Sequence, residues 1–137
     1  MEALDRQLQR DAGMPHTYYV TLAMLSEAPG RALTMSELAR VVHSSPSRLS
    51  HAVNRLEEAG WVRRTKHPTD RRTTIAELTD EGYAVLAEAA PGHVAEVRRR
   101  LFDPLTREQM LEFREILHTL LAGLDPDRQA PCALDQE

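Results

Sequence analysis

The stretch from Thr34 to Thr79 constrains the chain most, because its signals come in a fixed order: helix, short turn, second helix, then two strands around a charged tip. Thr34-Met35-Ser36-Glu37 matches a capping box, with Thr34 placed to accept from the Glu37 amide while Glu37 reaches back. The helix it opens turns Leu38, Ala39, Val41 and Val42 inward and ends near His43. Ser44-Ser45-Pro46 is the next start signal. Ser45 is a good N-cap, and Pro46 takes the first helical position, where a missing N–H costs nothing. The spacing predicts a helix over 46–59, with Gly60 as the residue that ends it in a left-handed conformation. Leu49, Val53 and Leu56 recur at i, i+4 and i+7 with Ala52 beside them, which makes a face to bury. Ser47, Arg48, His51, Asn54 and Arg55 fall on the other side, and every one carries a hydrogen-bonding group.

Residues 61–65 and 73–78 have strand character. The seven residues 66–72 between them, Lys-His-Pro-Thr-Asp-Arg-Arg, are too many for a tight two-residue turn. Two helices joined by a short turn read as a helix-turn-helix, and the hairpin with a basic tip makes it a winged one. An α-helix fits the major groove of B-DNA, where side chains tell base pairs apart; Arg to guanine and Asn to adenine are the favoured pairs. Ser44, Ser45 and Ser47 stand at the helix N-terminus, where amides and hydroxyls favour a phosphate. Arg48, His51, Asn54 and Arg55 are then placed for base edges or backbone. An extended hairpin carries an arginine into the narrow minor groove, where the potential is most negative. A solvated polar helix face and ordinary surface charge on a loop are the duller readings of the two parts; their occurrence together, in this order, favours DNA.

Charge supports this division of labour. The chain as a whole carries −4, which is unusual for a nucleic-acid binder. Yet residues 43–74 hold seven basic side chains against three acids, a local +4 that leaves −8 on the remainder. A basic module on an acidic body attracts phosphate without adhering to every polyanion.

The flanks read as helices. Leu4 and Leu8 mark one over 3–11, broken by Gly13 and Pro15; a second runs from about 15 to 28, with Tyr19, Leu22, Ala23 and Leu25 inward. Arg31-Ala32-Leu33 suggests a strand stub. Thr79-Asp80-Glu81 caps a long helix whose stripe is Tyr83, Leu86, Ala90, Val94, Val97 and Leu101, with Pro91-Gly92 interrupting it and a kink expected near Ala90. Thr106-Arg107-Glu108-Gln109 is a second capping box. It opens a last helix with Met110, Phe113, Leu117, Leu120 and Leu124 on a seam of alternating threes and fours, widened by Leu111, Ile116 and Leu121. Residues 125–137, rich in Pro, Asp, Gln and Ala, read as a flexible tail.

Other chemistries find little. There is no G-x-S-x-G, no H-E-x-x-H and no glycine-rich phosphate loop, so an enzyme is not expected. The six histidines are scattered, none paired at i,i+4 with another, so no metal site and no cofactor are expected. No apolar run is long enough for a membrane span. The polar N-terminus argues against a secretory signal, and the single cysteine, Cys132, fits a reducing cytoplasm.

The motifs are specific enough to carry a resemblance. Met35-Ser36-Glu37-Leu38-Ala39, then Leu49-Ser50-His51-Ala52-Val53-Asn54-Arg55-Leu56-Glu57-Glu58-Ala59-Gly60-Trp61-Val62-Arg63-Arg64, then Asp70-Arg71-Arg72-Thr73 and Leu78-Thr79-Asp80-Glu81-Gly82 follow in order. On these the chain resembles the MarR (multiple antibiotic resistance regulator) family of winged-helix transcription factors, across about residues 15–124. The resemblance implies a mainly α, α+β fold: a winged helix-turn-helix with flanking dimerisation helices in a single domain over 1–137. Its DNA-binding core would be about 30–79 and its dimerisation segments about 1–14 and 80–124.

The resemblance also implies a homodimer on palindromic double-stranded DNA, with helix 46–59 in the major groove and wing 66–72 in the minor groove. Arg72 would be the wing residue that enters the minor groove, with Arg71 and Thr73 beside it and Asp70 holding the wing arginines by a salt bridge. Family members commonly repress transcription and release DNA when a small, often aromatic effector binds. His16, Tyr18, Tyr19 and Met24 lie on the helix that would line that cleft; ordinary core packing is the preferred reading for these four. The family's first helix is usually longer than the stretch before Gly13, so either the start is internal or the dimer relies more on the last two helices. The competing reading is a winged helix that binds protein or only dimerises, without sequence-specific DNA binding.

Overall fold

The structure, a computed structural model, describes residues 2–124 of the 137. The tail 125–137, with Cys132, lies outside the described residues. Two compact units divide between Val97 and Arg98.

The first unit contains α1 (Glu2–Ala12), α2 (His16–Glu27), β1 (Ala32–Thr34), α3 (Met35–Val41), α4 (Pro46–Glu58), β2 (Val62–Lys66), β3 (Thr74–Leu78) and α5 (Asp80–Val97). It is mainly helical, with one small antiparallel sheet in the order β1-β3-β2. Val62 pairs with Leu78 and Lys66 with Thr74 on one side of β3, and Leu33 pairs with Ala76 on the other. The core gathers Leu22 and Leu25 of α2, Leu38 of α3, Leu49, Val53 and Leu56 of α4, Val62, Ala76 and Leu78 of the sheet, and Leu86 of α5. Each such leucine contributes about 1.5–3 kcal/mol by leaving water. The winged-helix layout expected from residues 34–79 is therefore present, element for element.

The flanks depart from expectation in two places. The stripe on α2 is narrower: Leu22 and Leu25 are fully buried, Tyr19 and Ala23 only half so. Thr21 is buried instead, because its hydroxyl donates to the Thr17 carbonyl (2.8 Å) and needs no water. On α5 the helix runs unbroken through Pro91 to Val97. The carbonyl that Pro91 leaves without an N–H belongs to Ala87, an exposed residue, so water is at hand and the helix need not stop. The stripe forecast for α5 is not buried as a whole: Leu86 is, but Tyr83 and Val94 are exposed. The buried residues include Gly82 and His93, which face the rest of the unit.

In the second unit a wide turn of π type (Arg98–Phe102) precedes α6 (Arg107–Leu124). The Thr106 amide donates to Gln109 Oε1 (2.9 Å) and the Gln109 amide to Thr106 Oγ1 (3.2 Å), the reciprocal cap read from the sequence. Every residue of α6 is exposed, the whole seam included.

Candidate nucleic-acid interface

The turn between α3 and α4 sets how the second helix is presented. The His43 amide donates to Arg40 O (3.3 Å) and the Ser44 amide to Ala39 O (3.0 Å), which ends α3 with His43 in the left-handed region at φ 50°. Glycine is usual there; histidine tolerates it better than a β-branched residue would. Ser45 then caps α4, its Oγ accepting from the Arg48 amide (3.4 Å), with Pro46 in the first turn. At the other end Gly60 takes φ 78°, the Gly60 amide donates to Glu57 O (3.0 Å), and the Trp61 amide donates to Leu56 O (2.9 Å). The helix is thus closed at both ends, and the apolar face of Leu49, Ala52, Val53 and Leu56 fixes its rotation.

That rotation turns Ser47, Arg48, His51, Asn54 and Arg55 to solvent. Arg48, His51 and Asn54 have side chains with no hydrogen bond or ion pair among the described residues, so their donors and acceptors are available to a ligand. Arg55 is committed in part, because its Nη1 lies 2.9 Å from Glu58 Oε2 one turn on. Ser44 is half-buried and Ser45 is occupied as the cap.

The wing is a loop closed on itself. The His67 amide donates to Thr73 O (3.0 Å), the Thr73 amide to Asp70 O (3.0 Å), and Lys66 Nζ to Thr74 Oγ1 (3.1 Å). Asp70 holds the tip, but by a different device from the expected salt bridge. Its carboxylate accepts from the Thr73 hydroxyl (2.7 Å) and the Arg72 amide (3.0 Å), and makes no ion pair with a wing arginine. The Thr73 hydroxyl and then the Arg72 amide hold this carboxyl below the usual aspartate range. The physical reason is local: a side-chain oxygen two residues before an amide closes a short turn, and this leaves the Arg71 and Arg72 guanidinium groups exposed and without a partner among the described residues.

Helix and wing border one another. A polar cavity of about 330 Å³ is lined by Pro46 and Ser50 of α4, Ser36 of α3, Arg64 of β2, Arg72 and Thr73 at the end of the wing, and Thr74 of β3. One contact that the sequence reading missed fixes this adjacency. Glu57 near the end of α4 accepts from Arg64 of β2 three times, at the amide (3.1 Å), at Nε (2.8 Å) and at Nη2 (2.5 Å). The Arg64 hydrogen bonds hold the Glu57 carboxyl below its usual range. Arg64 had counted only towards the basic charge of the segment; the seven-residue gap from Glu57 was too long to pair them by helical spacing.

The four residues proposed for an effector cleft are not gathered together. Tyr18 borders an open groove of about 750 Å³ beside Ser47, Arg48 and His51. Met24 packs against the core. His16 and Tyr19 instead surround His93, with ring centroids 5.5 and 4.3 Å away. Gln7 of α1 gives its amide N–H to Asp11 (3.0 Å) and pairs with His93 Nδ1 (3.1 Å). Burial first, and His16 second, push the His93 imidazole below its ordinary range. Among the described residues no group of three or more His, Cys, Asp or Glu could hold a metal, and no helix is long and apolar enough to cross a membrane.

The family model that matches the chain is that of the MarR family, over residues 12–73. The transcriptional repressor Rv2887 of Mycobacterium tuberculosis is 35% identical over 108 residues, which are 79% of this chain and 76% of that protein. The transcriptional regulator PecS of Dickeya dadantii is 34% identical over 86 residues, 63% of this chain, and the match spans 51% of its length. Among solved structures, the fold superposes with a TM-score of 0.83 on Sco3205, a MarR family transcriptional regulator from Streptomyces coelicolor in complex with DNA, at 56% identity over 92% of this chain and 79% of that one. A capped helix with uncommitted polar groups, a wing with two free arginines beside it, and these relatives agree: the chain belongs to the MarR family of transcriptional regulators.

Proposed function

We propose that the protein is a homodimeric repressor that binds a palindromic operator, each protomer placing α4 in the major groove and the 66–72 hairpin in the minor groove. The observation that carries this is the state of the polar groups. Arg48, His51 and Asn54 on α4, and Arg71 and Arg72 on the wing, are exposed and unpaired among the described residues, while neighbouring ionic groups such as Arg64 and Glu57 are engaged with each other. Side chains held in position by a rigid frame yet bonded to nothing suit a ligand rich in acceptors, which duplex DNA is. The solved DNA complex of the 56% identical Sco3205 supports the same reading. The second copy would cover the exposed seam of α6, so that 30–79 reads DNA while 1–14 and 80–124 join the protomers, within a single functional domain in the cytoplasm. No catalytic group enters this scheme.

The test is selection of a duplex from a random library with the purified protein, followed by anisotropy titration at several salt concentrations. A palindromic site whose affinity falls steeply with salt is expected, with a slope of roughly 0.9 per phosphate neutralised. Recovery of no preferred sequence would favour the protein-interaction reading instead. For release by a small effector, the groove beside Tyr18, Arg48 and His51 is the place to look, because an occupant there would cover two of the free α4 side chains.

A further inference from the structure

The end of α4 is fastened to the start of α5 by a joint that the family signature does not explain by itself. Thr79, the residue before α5, makes three hydrogen bonds there. Its amide donates to Trp61 O (3.1 Å), its hydroxyl donates to Gly60 O (2.7 Å), and the same hydroxyl accepts from the Gly82 amide (3.0 Å). Gly60 and Trp61 are the two residues that close the C-terminus of α4. One hydroxyl therefore caps one helix while holding the other's last turn. Gly82 lets the two approach: a Cβ there would stand 2.1 Å from Trp61 O and 2.9 Å from Leu78 Cδ1. The Arg31 guanidinium, 3.2 Å from Asp80 and 4.0 Å over the Tyr83 ring, holds the same first turn of α5 from the sheet side.

We propose that Thr79 is a positioning residue: it fixes the angle between the recognition helix and α5, and so the half-site spacing at which two copies bind. This rests on the dimeric DNA-binding reading above. The leverage is large. The 18 residues of α5 span roughly 27 Å at ~1.5 Å each. A tilt of about 10° at the joint moves the far end by roughly 5 Å, more than the ~3.4 Å rise of one base pair. A dimer whose joint is rigid discriminates sharply between spacings; one whose joint is loose does not.

The experiment uses the palindrome selected by the wild-type protein, with its spacer unchanged, shortened and lengthened by one base pair, against the full-length dimer. Thr79→Val removes both hydroxyl bonds. Thr79→Asp keeps an acceptor for the Gly82 amide but has nothing to donate to Gly60 O, so it breaks the joint and leaves the cap. Thr79→Ser keeps all three bonds. Melting and sedimentation first establish that each variant is folded and dimeric; if Thr79→Val is not, Thr79→Asp is read alone. The wild type and Thr79→Ser are expected to lose about tenfold or more on the altered spacers, and the broken-joint variants less than about threefold. A folded variant that keeps the wild-type ratio, or that loses affinity equally at every spacing, overturns the proposal. A wild type indifferent to spacing, or one that protects a single half-site, overturns the dimeric reading and the proposal with it.

Discussion

The helices α4 and α6 carry similar leucine-rich stripes, yet their fates in the monomer are opposite. In α4 every member of the stripe is buried, and the polar face is what remains outside. In α6 nothing is buried: Leu117 is 38% exposed, Ile116 56% and Leu124 81%. An apolar surface of this kind is what interaction sites characteristically present. The difference teaches where stability comes from. The head around α4 closes on its own residues, while α6 has an apolar face still to be covered, and that is why a reading in which two copies pair is attractive.

Matched truncations would sharpen or break this contrast. Leu56→Ala removes a fully buried side chain from the head and is expected to cost about 2–5 kcal/mol of unfolding free energy, a loss that does not depend on protein concentration. Leu117→Ala on the exposed seam should cost less, about 1.5–3 kcal/mol per protomer, and its loss should appear as a melting temperature and an oligomeric state that fall on dilution. Equal, concentration-independent losses at both positions, measured by calorimetry and sedimentation, would erase the distinction between a closed head and an open seam.

How legible each region was follows from the range of its interactions. α4 was readable nearly residue by residue because Ser45, Pro46 and Gly60 are local signals and the stripe is periodic. β2, β3 and the capping boxes were readable for the same reason. The sequence misled where a tertiary partner decides. His93 looked like a scattered histidine, but α1 and α2 enclose it through Gln7, His16 and Tyr19. Pro91 looked like an interruption, but the helix continues through it, because an exposed carbonyl upstream makes the missing bond cheap. Thr79 and Gly82 were visible as a motif, yet the reason for them, a carbonyl of Trp61 at contact distance, lies across the fold.

The wing offers a third kind of region, neither packed core nor bare seam, and a smaller effect. The Arg72 side chain makes no hydrogen bond or ion pair among the described residues, so Arg72→Ala should leave the stability within about 0.5 kcal/mol of wild type. Its operator affinity should fall on the order of tenfold with a flatter salt dependence, at every sequence tested alike. Loss of stability without loss of affinity, in a paired melting and anisotropy measurement, would show that the wing is part of the frame and not a free reader.

Asp70 gives the smallest effect and the finest discrimination. Its carboxyl is held below the ordinary aspartate value by the Thr73 hydroxyl and the Arg72 amide. A carboxylate lowered by folding contributes fully above its unfolded value of ~3.9 and loses that contribution only as pH falls through the lower folded value. Between pH 5 and 8, roughly one unit or more above that value, the wing should therefore be insensitive to Asp70 titration. Asp70→Asn keeps an acceptor for the Arg72 amide and loses the one for the Thr73 hydroxyl, so operator binding should weaken by only about two- to threefold, equally across that range. Amide exchange at Arg72 and Thr73 would report the loosened turn directly. A loss as large as that of Arg72→Ala would mean that the carboxylate pairs with a wing arginine once DNA is bound, which would restore the salt bridge expected from the sequence and make the free wing a different object from the bound one.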